Sequence, residues 1–544
     1  MNRGYLRIGG RRVHVLAGGR GPALLLLQDL PLRVLDLRPL ADALSDRFAV
    51  VCVDVAGCGL SEPLARPTLD AFADDVLAVA DALALRAFGV YARGTAAAIG
   101  LRLRARSGAR AGPVVLDDPR LVSSSDAPEW LLWTDDAFAP EPSGAHLVRL
   151  WDRVRTECQF RPAYRQTAAT RVMADMPSAE ALTQRTIGWL CAGPNAKETL
   201  RAVAVDGGTD AALTGADVGV LVEPTDDGAP TVAAAAIDAA VAEATRLPAV
   251  DLRHWRAPPA EDDGLVRTFV PVHGGDLHAY VSRSGPGRPV VVLHDPAGTS
   301  ELVLSFGAPL AADRPVIALD LPGNGESDNT LGTDEPTSAS YAAVVAQALD
   351  SLGLRDVDLI GRYSGGPVGM ELAFMQPGRV RHLVQAGITV YDPDEARRLL
   401  ARYTPTIAPD DHGGHLLLAW HIMKSQALYW PWFDQTRAGV VRGEPQLDPA
   451  LIHRRVVDLL KCGDLYRKAY AALWTYPLAE RLPKLDVPTL LCAPEWDPLY
   501  PHLGKAAAAG PQCRVATLPP RFGEWWRDIA PFLDDRAPAL GATA

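Results

Sequence analysis

Short, uninterrupted apolar runs bounded by Gly, Pro and Asp recur along this chain, and between them lie longer stretches with apolar residues at helical spacing. LLLL at 24–27, VVCV at 50–53, VVVL at 290–293 and VIAL at 316–319 have the length and unbroken apolar content of strands buried on both faces. Two further runs, AFGVYARG from Ala87 and DLIGRYSG from Asp358, lead into helical patterns through small residues. The stretches SGAHLVRLWDRV and GGHLLLAWHIM place apolar positions on one helical face. The order of elements predicts an α/β chain with mostly parallel sheets flanked by helices.

The pattern occurs twice. Asp320 follows Asp54 at the distance that separates His294 from Gln28 (320 − 54 = 266; 294 − 28 = 266). In both places an apolar strand runs into a loop, and a second strand ends in Asp-x-x-Gly-x-Gly-x-Ser. His146 and His415, Trp151 and Trp420, Pro162 and Pro431, and Gln166 and Gln435 recur at 269 (415 − 146 = 269). A near-constant offset of this kind is expected of a duplicated domain. The boundaries expected are a first domain at 1–255, a Pro-rich acidic linker at 256–264 and a second domain at 265–544.

Composition narrows the field without choosing a function. Of 544 residues 48% are hydrophobic and 22% charged, ordinary globular usage and enough for two domains of this length. A net charge of −11 gives no footprint for nucleic acid, and local runs such as RLRARSGAR read as a solvated helix face. No apolar stretch of about 18 residues suggests a membrane span, and the start lacks the pattern of a secretion leader. The seven scattered cysteines fit small buried residues of a reducing, cytoplasmic setting. His412, His415 and His421 match no common zinc spacing, and no phosphate-binding glycine loop is present, so neither metal nor other cofactor is expected.

The strand, Asp-x-x-Gly-x-Gly-x-Ser turn and strand–turn–helix segments together resemble the α/β-hydrolase superfamily over most of the chain. The resemblance implies two tandem α/β-hydrolase domains, each with a helical lid after the sixth strand. It also implies a nucleophile on a tight Gly-x-Ser-x-Gly bend, an acid after a late strand and a histidine after the last one. Lining up Gly365 and Gly366 with Gly94 and Thr95 puts Ala92 and Tyr363 where the serine belongs. Ala92 has no chemistry, and Tyr363 brings a phenol with an ordinary pKa of about 10. Sliding the register by one would make Ser364 the nucleophile, at the cost of Gly361 at the tight position. Asp497 and Asp227 stand where the acid belongs, though an Asp there also caps a following helix. In the first copy His254 stands near the place of the base. In the second the last histidine is His502, and the terminal segment CRVATLPPRFGEWW has none.

Neither copy therefore holds a complete Ser-His-Asp set. One reading is a hydrolase or lyase of a small organic molecule, with Tyr363 acting as acid, base or hydrogen-bond donor beside His294, Asp497 and Ser364. In it the lid residues His415, Trp420, Tyr429, Trp430 and Trp432 line an aromatic cavity above Tyr363. The other reading is a binding or scaffold protein that kept the pocket, with the first domain paired to the second within the chain. For the lid residues, plain packing over the core is the simpler expectation.

Overall fold

The apolar runs are interior strands in a computed structural model that describes residues 1–123, 125–135, 139–206, 218–221, 235, 237, 238, 247–258 and 264–535. The chain divides into two units: Met1–Pro259 with Pro409–Leu417, and Ala260–Ala408 with Leu418–Ala544. Residues 409–417, assigned to the second domain by the sequence offset, thus group with the first unit.

In the first unit the described strands are β1 (Asn2–Ile8), β2 (Arg11–Leu27), β3 (Ala49–Val53), β4 (Phe88–Arg93), β5 (Ala111–Asp117), β6 (Val218–Leu221) and β7 (Ala249–Asp251). β2 is long because the chain passes β3 on both sides. Its register runs from Val15↔Val53 to Gly19↔Ala49, then from Ala23↔Ala49 to Leu27↔Val53. The change of direction falls at Gly19 and Gly21, both with positive φ (79° and 129°), where an added Cβ would lie 2.2 and 2.0 Å from the carbonyl oxygens of Phe48 and Arg47. From there β4, β5 and β6 continue the sheet in parallel.

The second unit holds β8 (Val266–Val272), β9 (Gly275–Ser282), β10 (Val290–Leu293), β11 (Val316–Leu319), β12 (Val357–Arg362), β13 (Val380–Ala386), β14 (Thr489–Pro494) and β15 (Arg514–Leu518). The sheet order is β8-β9-β11-β10-β12-β13-β14-β15, antiparallel at its first pairs and parallel from β11 onward. Alternate residues of β10 serve different layers. Val291 and Leu293 join the core under helices Ser338–Ser351 and Gly365–Met375, while Val290 and Val292 pack with Phe306, Ile529 and Phe532 on the other face. Between β13 and β14 the chain inserts helices Pro393–Arg402, Gly414–Gln426, Pro449–Cys462 and Leu465–Trp474.

The recurrent Asp-x-x-Gly-x-Gly-x-Ser segment is a structural knot. Asp320 Oδ1 accepts from the Ser300 N–H and Oγ, both at 2.6 Å, and Oδ2 lies 2.9 Å from His278 Nδ1 and accepts from the Glu326 N–H at 3.0 Å. Burial works to raise this carboxyl, but His278 and the hydrogen bonds outweigh it and hold it well below the usual carboxylate range. Gly325, at φ 58°, must lack a side chain because a Cβ would lie 2.2 Å from Asp320 Oδ2. Asp54 is held alike by His14 at 2.7 Å and by the N–H groups of Val34 and Leu60.

Candidate functional site

The bend after β12 brings Tyr363 and Asp497 together in the second unit. Tyr363 has φ +44°, a left-handed conformation that costs a non-glycine residue free energy and recurs where side chains are held for function. The chain packs tightly around it. A Cβ on Gly361 would lie 2.1 Å from the carbonyl carbon of Gly365, one on Gly365 2.7 Å from the Leu293 carbonyl oxygen, and one on Gly387 2.5 Å from Tyr363 Cε1. The small residues at 361, 365 and 387 therefore let the strand turn into a helix with a tyrosine projecting from the turn. Ser364 (φ −62°, ψ −27°) is already helical and stands one position past the bend, so the backbone supports the register with Tyr363 rather than Ser364 at the turn.

Tyr363 donates its hydroxyl proton to Asp497 Oδ2 at 2.5 Å, and Asp497 Oδ1 accepts from the Leu499 N–H at 2.8 Å. Asp497 is 4% exposed, and burial raises its carboxyl despite the hydrogen bonds and Arg362 that lower it. Burial, then the Asp497 charge, pushes the Tyr363 phenol well above its ordinary value. The pair thus shares a held proton, with Tyr363 protonated at neutral pH. Arg362 pairs with Asp295, its guanidinium carbon 5.1 Å from the Tyr363 ring centroid and 5.2 Å from that of Phe522. Phe522 belongs to the segment after β15, where the resemblance implied a histidine.

Above the bend lies an aromatic cluster. Tyr403 sits at its centre, with ring centroids 5.2 Å from Trp430, 6.4 Å from Trp432, 5.3 Å from Tyr470 and 5.0 Å from Trp474, and Tyr363 and Tyr391 pack against the same group. Trp432 Nε1 donates to the Tyr403 carbonyl at 2.8 Å. Of the five lid residues expected here, Trp430 and Trp432 are in the cluster. Trp420 is fully buried outside it, and Tyr429 is half-buried and bridges Val440 through its backbone. His415 is a correction. It lies in the segment grouped with the first unit, its Nε2 3.0 Å from Thr183 Oγ1, its Nδ1 3.1 Å from Asp410 and its ring 5.2 Å from Trp151.

His294 is a second correction. It is fully buried, and both ring nitrogens are committed: Nδ1 lies 2.7 Å from the Asp295 carbonyl and Nε2 accepts from the Leu321 N–H at 2.8 Å. Burial lowers its pKa, so it stays neutral and fixes the loop after β10 rather than serving Tyr363. His502 is occupied as well, accepting from the Val390 N–H at 2.9 Å, and burial followed by Lys505 lowers it to about 4.

In the first unit the positive-φ residue at the corresponding turn is Gly94 (φ 58°), not Ala92. Ala92 is an interior residue of β4, paired with Leu27 and Leu116 and pressed under Gly100. Gly94 precedes Tyr363 by the offset that relates the lids (363 − 94 = 269), which was the signal available in the sequence. The space a side chain at 94 would take is filled by Asp29: a Cβ there would lie 2.1 Å from its Oδ1, and that oxygen accepts from the Thr95 N–H and Oγ1, both at 2.9 Å. Arg120 and Arg185 approach Asp29 Oδ2 at 3.4 and 3.7 Å, and burial, which raises the carboxyl, is outweighed so that it is lowered. His254 is exposed, beyond β7, and Asp227 lies outside the described residues. Among the described residues no cluster of three or more His, Cys, Asp or Glu is placed to hold a metal, and no helix is long and apolar enough to cross a membrane.

Residues 288–416 match the family described as the alpha/beta hydrolase fold. The chain is similar to the putative carbamate hydrolase RutD of Azorhizobium caulinodans, 35% identical over 111 residues, 20% of this chain and 41% of the relative. It is similar to the dihydrolipoyllysine-residue acetyltransferase component of the acetoin cleaving system of Cupriavidus necator, 35% identical over 121 residues, 22% and 31% of the two chains. It is also similar to the haloalkane dehalogenase of Mycolicibacterium paratuberculosis, 29% identical over 207 residues, 35% and 67%. The chain thus spans 41% and 31% of the first two relatives' lengths. A solved enol-lactonase from Burkholderia xenovorans aligns over 49% of this chain and 97% of its own, 18% identical, with a TM-score of 0.38.

Proposed function

We propose that this hydrolase-fold protein is a tandem pair of hydrolase-like units in which the second unit cleaves a small organic molecule, as a hydrolase or lyase, through Tyr363 and Asp497. The observation that carries this reading is the phenol held on a strained bend with its hydroxyl 2.5 Å from a buried carboxylate. A strained backbone is retained where the side chain it aims has work to do. In this role Tyr363 donates its proton to a substrate oxygen or holds that oxygen by hydrogen bonding, and Asp497 orients the hydroxyl and accepts charge as it redistributes. The N–H of Ser364, at the start of helix Gly365–Met375, is a donor beside the same point. The first unit serves without chemistry, since Asp29 occupies its bend.

A second reading, a binding protein without turnover, is favoured by His294: with both nitrogens committed, no imidazole serves the Tyr363–Asp497 pair. One experiment separates the two. The purified chain is incubated with a mixture of small esters, lactones, amides and β-diketones, and products are followed by mass spectrometry for wild type, Tyr363→Phe and Asp497→Asn. Turnover that both variants lose supports the enzyme. A substrate retained unchanged by all three proteins supports the binder.

A further inference from the structure

Beside the bend the second unit has a small, partly open pocket with room for about one water-sized group. Pro296, Leu321, Val368 and Leu473 form its apolar wall, and Asn324, Ser338, Tyr341 and Ser364 its polar one. No acidic, basic or imidazole side chain lines it. Asn324 is occupied: its amide donates to the Pro322 carbonyl at 3.1 Å, and its Oδ1 faces Cys462 Sγ at 3.5 Å. Two hydroxyls differ. Ser364 Oγ and Tyr341 OH are buried with no hydrogen-bond partner, Tyr341 being 4% exposed on helix Ser338–Ser351.

A buried hydroxyl without a partner is costly, and native structures carry few of them away from functional sites. Here two from different helices line one cavity, next to the residue that aims Tyr363. Each hydroxyl can both donate and accept, which suits a carbonyl or another hydroxyl. An ion would find no counter-charge in this lining and would lose its hydration without return. We infer that the cavity seats the neutral, oxygenated end of a short-chain molecule, a hydroxyl or ketone group, with Tyr341 and Ser364 as its specificity-determining partners. The inference deepens the proposed function and rests on the reading of the second unit as a small-molecule site.

The test uses the full chain and ligand-observed NMR titration with hydroxyacetone, with propionate and propylammonium as charged probes of similar size. The wild type is expected to bind hydroxyacetone saturably in the millimolar range and each charged probe at least about 10-fold more weakly. Tyr341→Phe and Ser364→Ala should each weaken hydroxyacetone about 3- to 10-fold, the loss of one hydrogen bond. The wild type separates the two ideas: saturable hydroxyacetone binding by a chain that turns over none of the small-molecule mixture overturns the proposed reaction and leaves the subsite standing. Val368→Leu, which narrows the cavity without touching a polar group, guards against misfolding of the hydroxyl variants and should also weaken the probe. No saturable binding by the wild type, equal binding of the charged probes, or unchanged binding in both hydroxyl variants overturns the inference.

Discussion

Replacing Tyr363 by Phe removes one oxygen and keeps the ring against Gly387, so it isolates the Tyr363–Asp497 bond. Asp497 is 4% exposed and keeps only the Leu499 N–H once the phenol is gone. Leaving a buried acceptor without its donor costs about 1–3 kcal/mol, toward the upper end for a charged one. The effect carries a pH signature. Burial already raises the Asp497 carboxyl, and the Tyr363 hydrogen bond is the first of the effects that pull it down, so the variant raises it further. A carboxyl raised in the folded state stabilises the fold below its unfolded value, near 3.8, and that contribution is lost as pH rises through the folded value. The variant's deficit should therefore be largest at about pH 8 and shrink toward about pH 4 as Asp497 takes up a proton. Denaturant unfolding followed by tryptophan fluorescence reads this directly, because Trp430, Trp432 and Trp474 surround the bend. The transition reporting the second unit must be fitted separately from the first, since a two-unit chain need not unfold in one step. A deficit below about 0.5 kcal/mol, constant over this pH range, would show that the pair is not bonded in solution.

Three further outcomes follow from the same geometry. Gly387→Ala would drive a methyl into the Tyr363 ring at φ +84° and should cost on the order of 3 kcal/mol, measured by the same unfolding transition; a neutral result would mean the ring sits elsewhere. Asp320→Ala would orphan His278, Ser300 and the Glu326 N–H at a cost of about 3–5 kcal/mol near neutrality; because this carboxyl is held low, the wild type should lose its advantage as pH falls below about 4, and an advantage that persists into acid would contradict the assignment. p-Nitrophenyl esters should turn over close to the buffer rate, and brisk cleavage abolished by Ser364→Ala would identify an ordinary serine hydrolase.

What was legible in the sequence was whatever depends on local chemistry. β-Branched runs such as VVVL favour buried strands, and the second glycine in Asp-x-x-Gly-x-Gly-x-Ser is required by a contact with the Asp five residues before it, so both could be read as strand and turn. Tyr363 and Asp497 could be paired because the resemblance fixes where such elements end. What failed was whatever depends on direction in space. Ala92 was placed at the bend by matching glycines, although the bend is set by which residue takes positive φ, and the offset of 269 pointed to Gly94. His294 looked available because its hydrogen bonds run to backbone groups, Asp295 and Leu321, which leave no trace in composition. Tyr391, Tyr403, Tyr470 and Trp474 belong to no catalytic motif, and their only trace in the sequence is that Tyr466, Tyr470 and Trp474 recur every four residues on one helix and mark an aromatic face.

The two bends differ in what a ligand would have to displace. At Gly94 no side chain projects, and Asp29 takes both the space and the Thr95 N–H, its charge answered by Arg120 and Arg185. Arg120 is tied in turn to Asp118 and Glu157, and Arg161 and Arg153 extend the same network. Removing one member of a buried charge set costs about 3–5 kcal/mol because its partners are left uncompensated, so a molecule entering that bend must offset this before gaining anything. At Tyr363 the group that projects is a neutral phenol, its single strong contact is with Asp497, and the surroundings are aromatic rings and a cavity carrying two unbonded hydroxyls. Exchanging a hydrogen bond from a phenol for one to a substrate oxygen is close to neutral in such a setting. The bend at Gly94 is thus filled by internal charge, whereas the one at Tyr363 faces an uncharged lining, which supports the proposed reading of the second unit as the small-molecule site.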